Sequence, residues 1–227
     1  GAGGEPARWA TRARRARAKR RRSTLRQLLV LIWTHCAVGW GFFILQSWTP
    51  TFISSLGFTD PKSTGLVSAL PWMVCALMTI NSGNIADSLL GKGVERPAVR
   101  RIMQGTASLG PAVCLVPLFA AGVALPAAAK VACLTGVLVL QAFSYAGFQA
   151  YVQDVAPSDS GKIISITNTF GILTGVVGNM VTGFIIERTQ DYRLVFLLTA
   201  LIYLSSFVSW MLVMKGRRLR LADLQTA

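Results

Sequence analysis

Polar side chains recur inside apolar segments that are long enough to cross a membrane. Gln141, Tyr145 and Gln149 lie four residues apart in segment 130–153, a spacing that places them on one slowly drifting face of a helix. Lipid penalises such groups strongly, so they must face protein or a water-filled cavity. The stripe therefore predicts either the wall of a substrate cavity or hydrogen bonds that join neighbouring helices.

Segment 28–56 carries polar groups of the same kind. Gln46 and Ser47 interrupt its apolar run, and His35, the only histidine of the chain, lies nearer its start. His35 is compatible with a place beside the cavity or with simple placement at the interface, and Asn168 with the cavity or with helix packing. We predict that the cavity is lined by Trp40, Phe43, Gln46, Ser47, Gln141, Tyr145, Gln149 and Asn168.

The composition is that of an all-α membrane protein. Hydrophobic residues make up 52% of the chain and charged residues only 14%, less charge than a soluble domain of this size carries. A spanning helix needs about 20 apolar residues. Six segments meet that length: about 28–56, 65–86, 102–123, 130–153, 163–187 and 193–214. They predict a six-helix membrane unit over 27–215, with tails at 1–26 and 216–227.

The distribution of basic residues predicts the orientation. With six spans, nineteen of the 23 Lys and Arg residues fall on the side that holds both termini, which is then the cytosolic or an equivalent organellar face. Ten of them lie within 1–26, where Trp9 is the only aromatic residue. Without interleaved aromatics we interpret this tail as a solvated loop facing anionic lipid, rather than as a nucleic-acid-binding arm. The sequence does not determine the membrane.

The types and spacing of reactive residues favour neither an enzyme nor a metal protein. The four cysteines lie in apolar runs without CxxC spacing, and there is one histidine, so we predict no metal site. No Asp or Glu falls in the middle of a span. Any carboxylate that binds a coupling ion would therefore have to come from sequence outside this chain, and we expect no catalytic residue and no cofactor here.

A short motif follows the second span. Gly83, Asp87 and Lys92 occur in an order and spacing that resembles the loop motif of the major facilitator superfamily. Gly83 would permit close approach of a helix, Asp87 would meet the positive end of another helix, and Lys92 would bridge to further charges. Together they predict a gating latch that stabilises one state of a transport cycle. The alternative is that Asp87 only caps its own loop.

Longer stretches resemble one family of that superfamily, the anion–cation symporters (sodium/phosphate cotransporters), and look closest to the plant and algal phosphate transporters. The order and spacing of the matching stretches agree over roughly residues 25–215. The stretches are Trp40 to Thr51, Leu70-Pro71-Trp72, Ile85 to Leu89, Val99 to Gln104, Gln153 to Pro157, and Asn168 to Gly171.

The resemblance implies one half of a longer transporter. It implies the C-terminal six-helix half of a twelve-helix protein, built from inverted repeats at 28–123 and 130–214, with the N-terminal half missing. It further implies transport of an inorganic or organic anion, commonly phosphate, with sodium or protons, and anion-binding arginines largely in the missing half. The alternative hypothesis is a truncated membrane half that does not transport and acts as an anchor or interaction partner.

The chain departs from the family pattern at three places. It has Val38-Gly39 where many members have His-Asn, and Tyr151-Val152 where they have Asn-His. We expect both pairs to lie near the cavity. Ser158-Asp159 replaces an Arg-Tyr pair, and we expect this change to alter contacts of a cytosolic loop.

Overall fold

The computed structural model describes residues 4–225 and contains helices but no strand in that range. Six helical stretches are long and apolar enough to cross a membrane, which confirms the predicted all-α fold with six spans. Helices α4 and α5 together form one of these spans, Ala127–Val155. The helices are α1 (Gly4–Ser55), α2 (Pro61–Gly91), α3 (Arg96–Ala120), α4 (Ala127–Gln141), α5 (Ala150–Val155), α6 (Ser160–Thr189), α7 (Arg193–Val213) and α8 (Ala222–Gln225).

The basic N-terminal region is helical, which differs from the predicted loop. Helix α1 begins at Gly4 and continues without interruption through the first span. Residues 7–38 contain neither Gly nor Pro and are rich in Ala, Arg and Leu, all strong helix formers, and Pro6 lies in the first turn, where proline is tolerated. The helix-forming residues, and not the charges among them, therefore determine the conformation of this region, and the predicted loop was wrong. Residues 1–3 lie outside the described range.

The pairing of helices has the symmetry of two repeats. Helix α1 packs against α6 and α2 against α4, while α3 packs against α7. The spans are, in order, α1, α2, α3, α4–α5, α6 and α7. If the first span is exchanged with the fourth, the second with the fifth and the third with the sixth, the α1–α6 pair becomes the α2–α4 pair and the α3–α7 pair is unchanged. Since each repeat holds an odd number of spans, the two repeats cross the membrane in opposite directions, as inverted repeats do.

Glycines allow α1 and α6 to approach closely. A Cβ on Gly39 would collide with the carbonyl of Gly171, and one on Gly175 would collide with the ring of Phe43. Small residues at such contacts are the usual means of packing helices in lipid. This contact fixes two walls of the cavity described below.

The helix between α4 and α5 is distorted around a buried glutamine. Residues Ala142–Ser144 form a 3₁₀ turn and Tyr145–Gln149 a π turn. Gln104 of α3 is fully buried there, and its Oε1 accepts hydrogen bonds from Ser144 Oγ at 2.9 Å and from the Phe148 backbone N–H at 3.2 Å. Since Phe148 N–H bonds to Gln104, the inserted side chain stabilises the π turn.

Candidate functional site

A cavity of about 310 Å³ opens on the face shared by α1, the distorted α4–α5 helix and α6. Its walls are aromatic and aliphatic, with a few neutral polar groups, as in most small-molecule sites. It is lined by His35, Val38, Gly39, Phe42, Phe43, Cys75, Leu138, Gln141, Ala142, Ser144, Tyr145, Phe148, Gln149, Asn168, Gly171 and Ile172.

Five of the eight residues predicted from the sequence line this cavity. They are Phe43 of α1, Gln141, Tyr145 and Gln149 of the distorted helix, and Asn168 of α6. The spacing of four survives the distortion because a 3₁₀ turn is tighter than an α turn and a π turn is wider. The two deviations offset each other, so all three residues of the stripe still face the cavity.

Trp40 lies elsewhere, contrary to the prediction. It is 8% exposed, and its Nε1 donates a hydrogen bond to Thr199 Oγ1 of α7 at 3.1 Å. Its indole ring contacts the position of Gly178 on α6. The glycine leaves a space that the large ring fills, so Trp40 packs between helices instead of facing the cavity.

Gln46 and Ser47 are exposed but lie outside the cavity. Each is four residues beyond one of the lining residues Phe42 and Phe43, so they continue the same face of α1 by one turn. They are therefore not part of the cavity wall, contrary to the prediction.

Gln141 combines the two roles that the sequence left open. It lines the cavity, yet its Nε2 donates to the Val38 carbonyl at 3.0 Å and its Oε1 accepts from Tyr203 Oη at 2.8 Å. Both ends of the amide are therefore bonded to protein. Gln141 joins α4 to α1 and α7 and leaves little hydrogen-bonding capacity for a ligand.

Three other polar side chains are available to a ligand. No hydrogen bond joins the side chains of Tyr145, Gln149 or Asn168 to any other group in the described part of the chain, and Tyr145 is 51% exposed. Each supplies an O–H or N–H donor toward the cavity. Among the described lining residues none is Asp, Glu, Lys or Arg. The cavity can therefore orient a polar ligand but does not itself neutralise a charge.

His35 is the lining residue that the sequence analysis left undecided. Its Nδ1 lies 2.9 Å from Thr167 Oγ1, and its ring meets Phe148 edge-on at 4.9 Å between centroids. The Thr167 hydroxyl donates to the Ile164 carbonyl at 3.1 Å, so it is placed to accept from Nδ1–H, which leaves Nε2 as an acceptor. The sequence showed a single histidine in an apolar span. That observation alone did not determine whether His35 lies beside the cavity or at the interface.

The proposed latch residues lie on open surface. Asp87 and Lys92 are exposed, and a Cβ on Gly83 would meet no atom within 4 Å. The helix that Gly83 was expected to admit is not among the described residues of this chain. The latch thus remains a prediction, and it requires a partner from outside them.

Two stretches that carry the family resemblance meet in space. Arg100 of α3 donates from Nε to Asp154 Oδ2 at 2.7 Å and from Nη1 to the Ala146 carbonyl at 3.1 Å. The ion pair is partly buried, with side-chain exposures of 12% and 24%. Arg100 therefore holds α3 against both the π turn and α5, next to the cavity.

The departures from the family pattern fall in different places. Val38 and Gly39 line the cavity, as expected. Tyr151 and Val152 do not: both are at most 1% exposed and pack in a core cluster with Trp210. Helix α5 turns them away from the cavity, so our expectation for this pair was wrong.

The third departure contacts the C-terminal tail. Oδ2 of Asp159 accepts a hydrogen bond from the backbone N–H of Leu221 at 3.1 Å. The contact attaches the loop between α5 and α6 to that tail, which agrees with an effect on loop contacts.

Comparison with known proteins gives a consistent family. The sequence profile of the Major Facilitator Superfamily matches residues 2–173. Probable anion transporter 4, chloroplastic, of Oryza sativa subsp. japonica is 34% identical over 83% of this chain and 31% of its own length. Two Arabidopsis thaliana proteins, sodium-dependent phosphate transport protein 1, chloroplastic, and ascorbate transporter, chloroplastic, are each 35% identical over 83% of this chain, and over 36% and 34% of their own lengths.

The chain spans about a third of the length of the curated relatives it matches. Those relatives are named as transporters and not as enzymes. The six spans agree with the profile match in the class of protein. The chain is therefore a multi-pass membrane protein that belongs to the major facilitator superfamily.

Proposed function

We propose that this chain forms one half of a secondary active transporter that moves an inorganic or organic anion, with phosphate as the first candidate, by alternating access. The observation that carries the proposal is the open cavity with free donors from Tyr145, Gln149 and Asn168. Neutral donors can hold the oxygens of an anion and still release them, which a transport cycle requires. The names of the relatives support an anion as the cargo.

The neutrality of the cavity supports a second half. A buried anion without a nearby positive charge carries a large desolvation penalty. None of the described lining residues supplies that charge. We therefore place the cationic residues, and any carboxylate that binds a coupling sodium ion or proton, on an N-terminal six-helix half that closes over this face.

The identity of the anion is an open choice between chemically different cargoes. One relative is named for phosphate and another for ascorbate. Ascorbate has a ring that could pack on Phe42, Phe43 or Tyr145, whereas phosphate would use hydrogen bonds alone. Replacing an aromatic side chain of the cavity should therefore weaken the binding of ascorbate and leave the binding of phosphate nearly unchanged.

The test is uptake by the full-length protein in proteoliposomes. Labelled phosphate and labelled ascorbate are supplied in turn, with a sodium gradient, with a proton gradient and with neither. We expect gradient-driven uptake of one anion, and the Phe42→Leu and Phe43→Leu variants then show whether the ring contacts matter. Folded protein that takes up neither anion would contradict the proposal and favour the non-transporting membrane anchor.

A further inference from the structure

The basic part of α1 and the tail that follows α7 face one another across a cleft. Its two adjoining hollows, of about 500 and 560 Å³, share Lys19, Ser23 and Arg217. We call the two hollows the basic cleft. The larger hollow is lined by Arg15, Lys19, Arg22 and Arg26 of α1, and by Lys215 and Arg217 of the tail.

Seven basic residues of α1 lie on two faces, and Arg20 also lines the smaller hollow. Arg15, Lys19, Arg22 and Arg26 follow helical spacing and point to the cleft. Arg14, Arg17 and Arg21 follow the same spacing on the opposite face and line neither hollow. The cleft thus has a defined set of charges, separable from the net charge of the helix.

The tail is held in place by a buried leucine and by hydrogen bonds from its backbone. Leu219 is 1% exposed, and its backbone N–H donates to the Val155 carbonyl at 2.9 Å. Gly216 has a positive φ of 71°, and its N–H donates to Tyr151 Oη at 3.3 Å. The bundle therefore fixes the backbone from which Lys215 and Arg217 project, and the cleft does not have to be assembled when a ligand arrives.

Acidic side chains offset little of the positive charge of the basic cleft. In the described part of the chain the ion pairs involve Asp154 and Asp191, both away from the cleft. Asp223, on the rim of the smaller hollow, is the one described acid that lines the cleft. Like charges four residues apart on a helix repel, as at Arg15 and Lys19 or Arg22 and Arg26, so an anion in the cleft would relieve the repulsion.

The floor of the cleft is apolar and belongs to a membrane span. Leu212 and Val213, at the end of α7, line the larger hollow, and Leu212 is 69% exposed. A headgroup held by the basic side chains would have its acyl chains beside these residues. A soluble anion would gain nothing from that contact, so the apolar floor distinguishes a lipid from free phosphate.

We propose that the basic cleft is a binding site for the headgroup of an anionic phospholipid, held between α1 and the C-terminal tail. The site is independent of the transport cavity and of the anion carried there. It is also more specific than general attraction of a basic tail to a negative surface, because it needs one face of α1 and a fixed tail opposite.

The experiment compares two triple variants of the full-length protein in uncharged detergent micelles. Arg15→Gln, Lys19→Gln and Arg22→Gln remove three charges from the cleft face; Arg14→Gln, Arg17→Gln and Arg21→Gln remove three from the opposite face. Phosphatidylglycerol is titrated in, and the thermal unfolding midpoint gives an apparent affinity. Each basic residue close to an anionic headgroup strengthens binding of the lipid. We therefore expect the cleft triple to weaken binding by about tenfold or more, and the triple on the opposite face, which is the control, to weaken it by about twofold at most.

Two further arms complete the test. The tail variant Lys215→Gln with Arg217→Gln should weaken binding as the cleft triple does, and it serves if the helix variants fold poorly. Phosphatidylcholine should give no comparable stabilisation, and any stabilisation by inorganic phosphate should be the same in the cleft triple as in the unsubstituted protein. Equal losses in the two helix triples would show attraction by net charge alone and overturn the proposal. Stabilisation by inorganic phosphate that the cleft triple weakens as strongly as it weakens stabilisation by phosphatidylglycerol would overturn the lipid as ligand.

Discussion

Tyr203 of α7 donates a hydrogen bond from Oη to Oε1 of Gln141, 2.8 Å away, and both side chains are buried. The sequence predicts that Gln141→Ala is tolerated and weakens anion binding. The structure instead assigns this residue a role in holding α4 to α1 and α7 at the cavity wall.

We therefore expect Gln141→Ala to destabilise the protein. The change leaves the fully buried Tyr203 hydroxyl without an acceptor, which typically costs about 1–3 kcal/mol. Tyr203→Phe should cost less, since the freed Gln141 oxygen lies at the cavity and can bind water. Thermal unfolding in detergent measures both. Equal stability of Gln141→Ala and the unsubstituted protein would contradict the assignment.

Gln149→Ala and Asn168→Ala should lower the affinity for the anion and leave the stability of the protein nearly unchanged. These side chains have no described partner to strand, and a lost hydrogen bond to a charged ligand costs about 1.5–3 kcal/mol, or roughly ten- to hundredfold in affinity. The measurement is the half-saturation constant for uptake by the full-length protein. Thr169→Ala is the control, because Thr169 bonds to the Ser165 carbonyl of its own helix and does not line the cavity.

Two glycines should respond oppositely to alanine. Gly39→Ala would push a methyl group into the backbone of Gly171, and overpacking of this kind typically costs about 1–3 kcal/mol. A methyl group on Gly65 of α2 would meet no atom within 4 Å, so Gly65→Ala should be neutral or stabilise its helix by about 0.5–1 kcal/mol. Unfolding midpoints compare the two. A loss at Gly65 as large as at Gly39 would show that close approach is not the cause.

Variants of two aspartates should distinguish a gating residue from a residue that stabilises the fold. Asp87 is exposed, whereas Asp154 is paired with Arg100 at 2.7 Å. Asp87→Asn should lower the transport rate of the full-length protein with little change in stability or half-saturation constant, as a latch residue would. Asp154→Asn should instead lower the unfolding midpoint. Unchanged turnover in Asp87→Asn would refute the latch and favour a simple loop cap.

Hydrophobicity and spacing predicted the spans and five of the sixteen described residues that line the cavity. Long apolar segments must cross the membrane as helices, and polar residues at intervals of four must share a face, which is why Gln149 and Tyr145 line the same cavity. Composition could not reveal that Gly178 leaves room for the Trp40 ring. That depends on which residues of two distant segments come into register.

The helix distortion was also beyond the sequence patterns. Ala142 to Gln149 contain one glycine and no proline, so nothing local marks a 3₁₀ turn followed by a π turn. The cause is a side chain from another helix, Gln104, whose oxygen takes the Phe148 N–H. Likewise, charge density suggested a loop over residues 1–26, whereas α1 begins at Gly4 because the residues between the charges are helix formers.

Helix α1 contains 52 residues, which corresponds to a rod of about 78 Å. One end carries the charges of the basic cleft, and the same unbroken helix later supplies His35 and Phe42 to the cavity wall. No hinge loop separates these two regions. A tilt imposed on the basic end would therefore be transmitted along one continuous helix to the cavity wall, so we expect an anionic lipid bound in the basic cleft to alter the geometry of the proposed substrate site.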